Sequence, residues 1–124
     1  MIKAVIFDMD GVIVLSKHGD FAAWKKIFEE IGSKLTHKIF NEFQGFRTVD
    51  IIKAYSKKTF TEQEIKSLGN KKQKYFLEYA KENGVEEIRG VTTLLRILKE
   101  KRYLIGLGTS APRMKAKFIL KRLG

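Results

Sequence analysis

Residues 1–14 read MIKAVIFDMDGVIV, an apolar run that stops on two aspartates one residue apart and resumes after a glycine. The run from Ile2 to Phe7 is short and rich in β-branched and aromatic residues, and Asp8, Asp10 and Gly11 break it. That composition reads as a buried strand whose carboxyl end opens into a loop. A second run of the same kind, YLIGLG at residues 103–108, is followed by TSAP, which turns the chain toward a helix through Met114, Phe118, Ile119 and Leu123. The single proline, Pro112, falls where the first turn of a helix tolerates it.

Between the two strands the apolar spacing is helical. Phe21, Trp24, Ile27, Phe28 and Ile31 recur at steps of three and four, and Gly32 follows, which describes an amphipathic helix with Asp20 as its cap. Thr36 is placed to cap a segment with Ile39, Phe40 and Phe43, and Thr48 to cap one with Ile51, Ile52 and Tyr55. Thr61 stands three residues before Glu64, the spacing of a capping box. It opens a longer helix through Ile65, Leu68, Tyr75, Phe76 and Tyr79 that ends at Asn83-Gly84, with Gly69 and Asn70 as an interruption. Val91, Leu94, Leu95 and Leu98 form a further stripe, and nothing between Phe21 and Gly84 has the pattern of a strand. A strand, a long helical excursion, a helix and a second strand predict a parallel α/β core with an all-helical insertion.

Composition narrows the chemistry. The 124 residues have the length of one ordinary domain, and 44% apolar content supplies a core. No stretch approaches the ~20 consecutive apolar residues of a membrane span, and the first residues lack the features of a signal peptide, so a cytoplasmic protein is expected. There is no cysteine, which excludes disulfides and thiolate metal sites, and two histidines, His18 and His37, are too few for an imidazole-rich zinc site. Any metal is expected to be hard and oxygen-liganded. The net charge of +11 raises nucleic-acid binding as a reading. Its local groups, Lys71, Lys72 and Lys74, Lys99, Lys101 and Arg102, and Lys121 and Arg122, sit between apolar positions of helical spacing. That is the pattern of a solvated helix face, compatible with attraction of anionic phosphorylated metabolites.

In an open parallel sheet, ligands bind beyond the carboxyl ends of the strands. Adjacent strands bring Asp8 and Asp10 to the same end as Thr109 and Ser110. Strand residues alternate direction, so the two aspartates share a side if the extension persists, and paired carboxylates without soft ligands suit Mg²⁺. A carboxylate can attack phosphorus while a second one protonates the leaving oxygen and later activates water. The Thr109 hydroxyl and the amides around Ser110 and Ala111 are phosphate-binding groups.

VIFDMDGVIV resembles the first motif of the haloacid dehalogenase-like (HAD) superfamily of aspartyl-phosphate-forming phosphatases and phosphomutases, and YLIGLGTSAP resembles its second. The resemblance continues through DFAAWKKIFEEIG, FNEFQGF and IRGVTTLLRILKEKRYLIGLGTS, covers essentially the whole chain, and is nearest to the β-phosphoglucomutase-like branch. It implies an incomplete HAD-like Rossmannoid core at residues 1–14 and 89–124, with an inserted helical cap at 15–88 that selects the substrate. It further implies Asp8 as nucleophile and magnesium ligand. Asp10 is implied as general acid/base with its backbone carbonyl on the metal, and Thr109 with the Ser110 amide as phosphoryl-holding groups. Arg47, just after FQGF, and Lys71 fall near basic positions that contact substrate in the branch. Asp20 stands where phosphoglucomutases carry a histidine, with His18 nearby, which favours a phosphatase over a mutase.

Family members continue through further strands that supply a phosphate-steadying lysine and an acidic metal-binding loop, and neither is found in this sequence. Lys74 and Lys115 are the candidates to replace that lysine. The expectation is therefore a truncated piece of a larger enzyme, or a chain that pairs with a second chain or a second copy of itself over the exposed sheet edge. The substrate expected is a small phosphorylated metabolite and the cofactor Mg²⁺. The alternatives are an inactive HAD-like protein acting as a phospholigand-binding or interaction module, and a basic nucleic-acid-binding protein.

Overall fold

The computed structural model describes residues 1–109 and 113–123. Its elements are, in order, β1 (Ala4–Phe7), β2 (Val14–Leu15), α1 (Lys17–Glu30), α2 (His37–Glu42), α3 (Thr48–Tyr55), α4 (Glu62–Asn83), β3 (Glu86–Glu87), α5 (Val91–Glu100), β4 (Leu104–Leu107) and α6 (Arg113–Leu123). They form two compact units, Met1–Lys17 with Asn83–Gly124, and His18–Glu82. The divisions fall a few residues inside the expected insertion because of a strand pair too short to read from the sequence. Val14 and Leu15 pair antiparallel with Glu87 and Glu86, which ties both ends of the connection to the α/β unit. Among the described residues no helix is long and apolar enough to cross a membrane.

In the α/β unit, β1 lies parallel to β4 in the register Ala4↔Leu104 to Phe7↔Leu107. Parallel neighbours need a long crossover, and the whole of residues 8–103 provides it. Phe7, Ile13 and Val91 form the core of this unit, with Val5, Leu95, Leu98 and Leu107 packed around them. Alternation places every second strand residue on that face. The opposite face is not buried as expected: Ile6 is 75% exposed and Leu104 72%. The reason is that α5 packs against one side of a two-stranded sheet, and nothing among the described residues covers the other.

After α5 the chain turns in a Schellman motif, with the Tyr103 amide donating to the Leu98 carbonyl and the Arg102 amide to that of Lys99, both at 3.0 Å. Arg102 sits at the left-handed position of the turn, with φ 62°, where glycine is the unstrained residue.

The helical unit has its own core. Trp24, Ile27 and Phe28 from α1, with Ile31 just past its end, pack with Phe40, Phe43, Ile51, Ile52, Ile65 and Leu68, so the expected stripes face one another. Phe43 lies between aromatic partners, its ring 5.4 Å from Trp24 and 5.9 Å from Phe28. Two of the expected caps form. Thr36 Oγ1 accepts from the Ile39 amide at 3.2 Å, and Thr61 and Glu64 accept each other's backbone amides at 3.1 and 3.0 Å.

Three local expectations are corrected. Helix α1 starts at Lys17, so Asp20 lies in its first turn rather than capping it, where its charge still suits the positive end of the helix. Helix α3 starts at Thr48 itself, with Arg47 as an extended N-cap residue making no side-chain cap bond. Helix α4 runs unbroken through Gly69 and Asn70. A mid-helix glycine costs about 1 kcal/mol, less than burying Ile65, Leu68 and Phe76 along one stripe provides.

Two substitutions test these assignments by urea unfolding. Phe28→Ala, which empties the centre of the helical core, is expected to destabilise that unit by about 3–5 kcal/mol. Arg102→Gly is expected to stabilise the chain by about 0.5–1 kcal/mol, because relief of the left-handed strain outweighs the added unfolded-state entropy. A neutral or destabilising Arg102→Gly would contradict the turn geometry.

Candidate functional site

The last pair of the β1–β4 ladder, Phe7↔Leu107, fixes where the two chemistry-bearing loops begin. The Gly108 amide donates to the Phe7 carbonyl at 2.8 Å, so the chain leaves β1 as Asp8 and β4 as Gly108-Thr109 at the same end of the sheet. Asp8 is exposed, Met9 fully buried and Asp10 half-exposed, which continues the alternation of the strand past its last ladder bond. The Met9 carbonyl accepts from the amides of Val12, Ile13 and Val14 at 3.3, 2.9 and 3.1 Å. Gly11, with φ 77°, makes that reversal possible and donates to the Val14 carbonyl at 2.8 Å. The two aspartates thus flank an anchored residue.

Asp8 Oδ1 accepts from the Met9 amide at 2.8 Å, which fixes its carboxylate against its own backbone. Asp10 is held by side chains. The buried Ser16 hydroxyl donates to Asp10 Oδ1 at 2.7 Å, and the Lys115 ammonium on α6 lies 3.6 Å from the same oxygen. Sequence reasoning misses Ser16, whose one signal is a small polar residue closing the run VIVL. Lys115 lies on the face of α6 that buries Ala116 and, four residues on, Ile119. Thr109 is half-buried beyond β4. Ser110 lies outside the described residues, as do Ala111 and Pro112.

The donor set is made of hard oxygens. The Asp10–Val14 bridge uses the Met9 carbonyl and the Gly11 amide, so the Asp10 carbonyl stands outside those two bonds. With the carboxylates of Asp8 and Asp10 it offers the kind of ligand that Mg²⁺ takes. Among the described residues no group of three or more histidine, aspartate or glutamate side chains assembles, so the protein carboxylates available there are these two.

The two basic residues expected as substrate contacts belong to the helical unit. Arg47 is exposed and holds Asp50 by a fork, Nε to Oδ2 at 2.8 Å and Nη2 to Oδ1 at 3.3 Å. This hydrogen bonding raises the Arg47 pKa and lowers that of Asp50. Lys71 donates to Glu30 Oε1 at 2.9 Å, and Tyr75 donates to the same oxygen at 3.2 Å. The bond to Glu30 raises the Lys71 pKa, and burial followed by the Glu30 charge pushes the Tyr75 phenol up. The neighbouring Lys72 behaves differently. It is buried, with Nζ 2.7 Å from Asp20 Oδ1 and near the rings of Trp24 and Phe76 at 5.7 and 5.8 Å. A sequence signal for it exists, since 65, 68, 72, 76 and 80 form one helical stripe and Lys72 interrupts it.

Residues 5–124 match the haloacid dehalogenase-like hydrolase family. A phosphorylated carbohydrates phosphatase of Thermotoga maritima is 31% identical over 98% of this chain and 56% of its own length. A β-phosphoglucomutase of Bacillus subtilis is 30% identical over 98% of this chain and 55% of its own. The chain therefore spans just over half the length of these curated relatives. Among solved structures, a β-phosphoglucomutase of Clostridium difficile superposes with a TM-score of 0.84 at 28% identity, covering all of this chain and 57% of that one. A HAD hydrolase of Entamoeba histolytica superposes at 0.86 with 18% identity over 98% of this chain and 55% of that one, a likeness of fold.

The Arg47–Asp50 fork makes a measurable pH signature. Asp50 is expected to titrate below the ordinary aspartate value in the wild type and closer to it in Arg47→Gln, followed by carboxyl carbon NMR. The pair's small contribution to folding is present above the ordinary aspartate value and lost as pH falls through the lowered one. Identical Asp50 titration in both proteins would show that the fork does not form.

Proposed function

This chain belongs to the haloacid dehalogenase-like hydrolase family, and we propose that it carries out phosphoryl transfer on a small phosphorylated sugar, with Asp8 as nucleophile and Asp10 as general acid/base. The observation that carries this reading is the placement of Asp8 and Asp10 on either side of the buried Met9, beside the Thr109 loop at one end of the sheet. In the first half-reaction an Asp8 carboxylate oxygen bonds to phosphorus as the bond to the sugar oxygen breaks, and Asp10 gives that oxygen its proton. In the second, Asp10 takes a proton from water as the water oxygen attacks the aspartyl phosphate, releasing inorganic phosphate and regenerating Asp8. The Thr109 hydroxyl and the Ser110 amide serve as donors to the phosphoryl oxygens. Asp8 and the carbonyl of Asp10 would hold Mg²⁺, which when bound offsets negative charge on the transferring group.

Sugar phosphates are favoured as substrates because two of the relatives at 30% identity or more carry names for phosphorylated-carbohydrate chemistry. Asp20 favours hydrolysis over mutation, since its carboxylate is engaged by the buried Lys72 where the resemblance implies a histidine. Arg47 and Lys71, both exposed, are the cations this reading gives to substrate recognition on the helical unit.

A second reading, phospholigand binding without turnover, is favoured by the count of two carboxylates among the described residues. Hydrolysis of a generic phosphoester and of hexose phosphates with Mg²⁺ separates the two. Asp8→Asn is expected to fall to background, and Asp10→Asn to lose about 10²–10⁴ in kcat, the usual worth of a positioned acid/base. Wild-type turnover that survives Asp8→Asn would remove the nucleophile assignment, and phosphate binding without turnover in the wild type would establish the second reading.

A further inference from the structure

Lys72 and Lys115 are the buried lysines among the described residues. An ammonium taken from water needs a counter-charge and hydrogen-bond partners, or the burial is unfavourable. Lys72 meets Asp20 within the helical core. Lys115 meets Asp10, and its side chain is 5% exposed against 36% for the carboxylate it faces. The amine is thus farther from water than the aspartate, which is the reverse of a surface lysine reaching inward. Its place is fixed by α6, where the neighbouring Ala116 and, one turn on, Ile119 are buried on the same face.

We propose that Lys115 is a positioning residue of the phosphoryl-transfer site, one that orients the Asp10 carboxylate and supplies a buried positive charge on which binding of the phosphate anion depends. The catalytic part of this role rests on the proposed function above. Ser16 and Lys115 both meet Asp10 Oδ1, at 2.7 and 3.6 Å, and Oδ2 lies outside both contacts. Holding one oxygen leaves the other in a defined direction for proton exchange with a leaving group. Two aspartates and a phosphate also gather like charge in one place. The chain's net charge of +11 does little against this, because exposed lysines are screened by salt over about 8 Å at physiological ionic strength. A cation buried beside Asp10 is screened far less.

The test uses the full chain and tungstate, a phosphate mimic that is not turned over, with binding followed by calorimetry at low and high salt. Lys115→Met is expected to weaken tungstate binding about tenfold at both salt concentrations, a loss that Lys115→Arg largely restores. Because the sequence has no cysteine, Lys115→Cys can be aminoethylated while unfolded and then refolded, which returns the charge at that position alone. Where the Met variant does not fold, the comparison is between the unmodified and aminoethylated Cys proteins. Equal binding by the Met variant and wild type, no gain on aminoethylation, or no tungstate binding by the wild type overturns the proposal.

Turnover supplies the readout for positioning. Loss of a directed acid affects an alkyl phosphate, whose leaving oxygen needs a proton, more than p-nitrophenyl phosphate, whose leaving group does not. Lys115→Met is expected to lower kcat on a hexose phosphate several-fold more than on p-nitrophenyl phosphate, whereas equal losses would mean that Lys115 is structural only. Turnover that persists in Asp8→Asn sinks the phosphoryl-transfer reading instead, and the tungstate comparison then decides the role of Lys115 by itself.

Discussion

The pairing of β1 with β4 is the constraint on which the candidate site of this chain depends. Four register pairs, Ala4↔Leu104 to Phe7↔Leu107, join segments one hundred residues apart in sequence. The Gly108 amide extends the ladder by one bond to Phe7, so Asp8 and Thr109 both emerge just past it. Side chains on a strand alternate, so a slip of one residue would exchange the covered and open faces. Phe7 and Leu107 packing with α5 oppose such a slip, which makes the small core of the α/β unit the device that keeps chemistry-bearing loops together.

Charge is organised in two regimes. Arg47–Asp50 is an exposed pair open to salt, and Lys71–Glu30 joins an exposed ammonium to a half-buried carboxylate. Lys72–Asp20 and Lys115–Asp10 each bury the cation more deeply than its partner. Breaking such a pair leaves an uncompensated buried charge, so these lysines are tied to their carboxylates far more firmly than composition suggests. The excess of basic residues therefore divides into many solvated charges and a few with fixed addresses.

Much of the architecture was legible because it rests on periodicity. The change from a strand-like run at Ile2–Phe7 to steps of three and four at Phe21–Ile31, and back at residues 103–108, marks the α/β unit and its helical insertion. The Thr61–Glu64 box was readable because both partners lie within one turn. Family membership was legible for a similar reason, since the motifs around Asp8 and Thr109 are short and local. What escaped depends on distance in the chain. The Val14–Leu15 pairing with Glu86–Glu87 is two residues long and set by closure. Contacts such as Lys72 with Asp20 and Lys115 with Asp10 join separate elements, and no periodicity names the partner. Ile6 and Leu104 read as buried because they are apolar, but burial also requires a neighbour on that side.

Met9 carries no reactive group, yet its side chain is fully enclosed and its carbonyl gathers three amides. Because direction alternates along the chain, enclosing Met9 obliges the residues on both sides of it to face the other way. The directions of the two aspartates are therefore one variable rather than two. Evolution or design that seeks to re-aim the chemistry without changing its groups has in Met9 a single adjustable pivot, and the residue most able to alter both carboxylates together is one that an inventory of polar groups would omit.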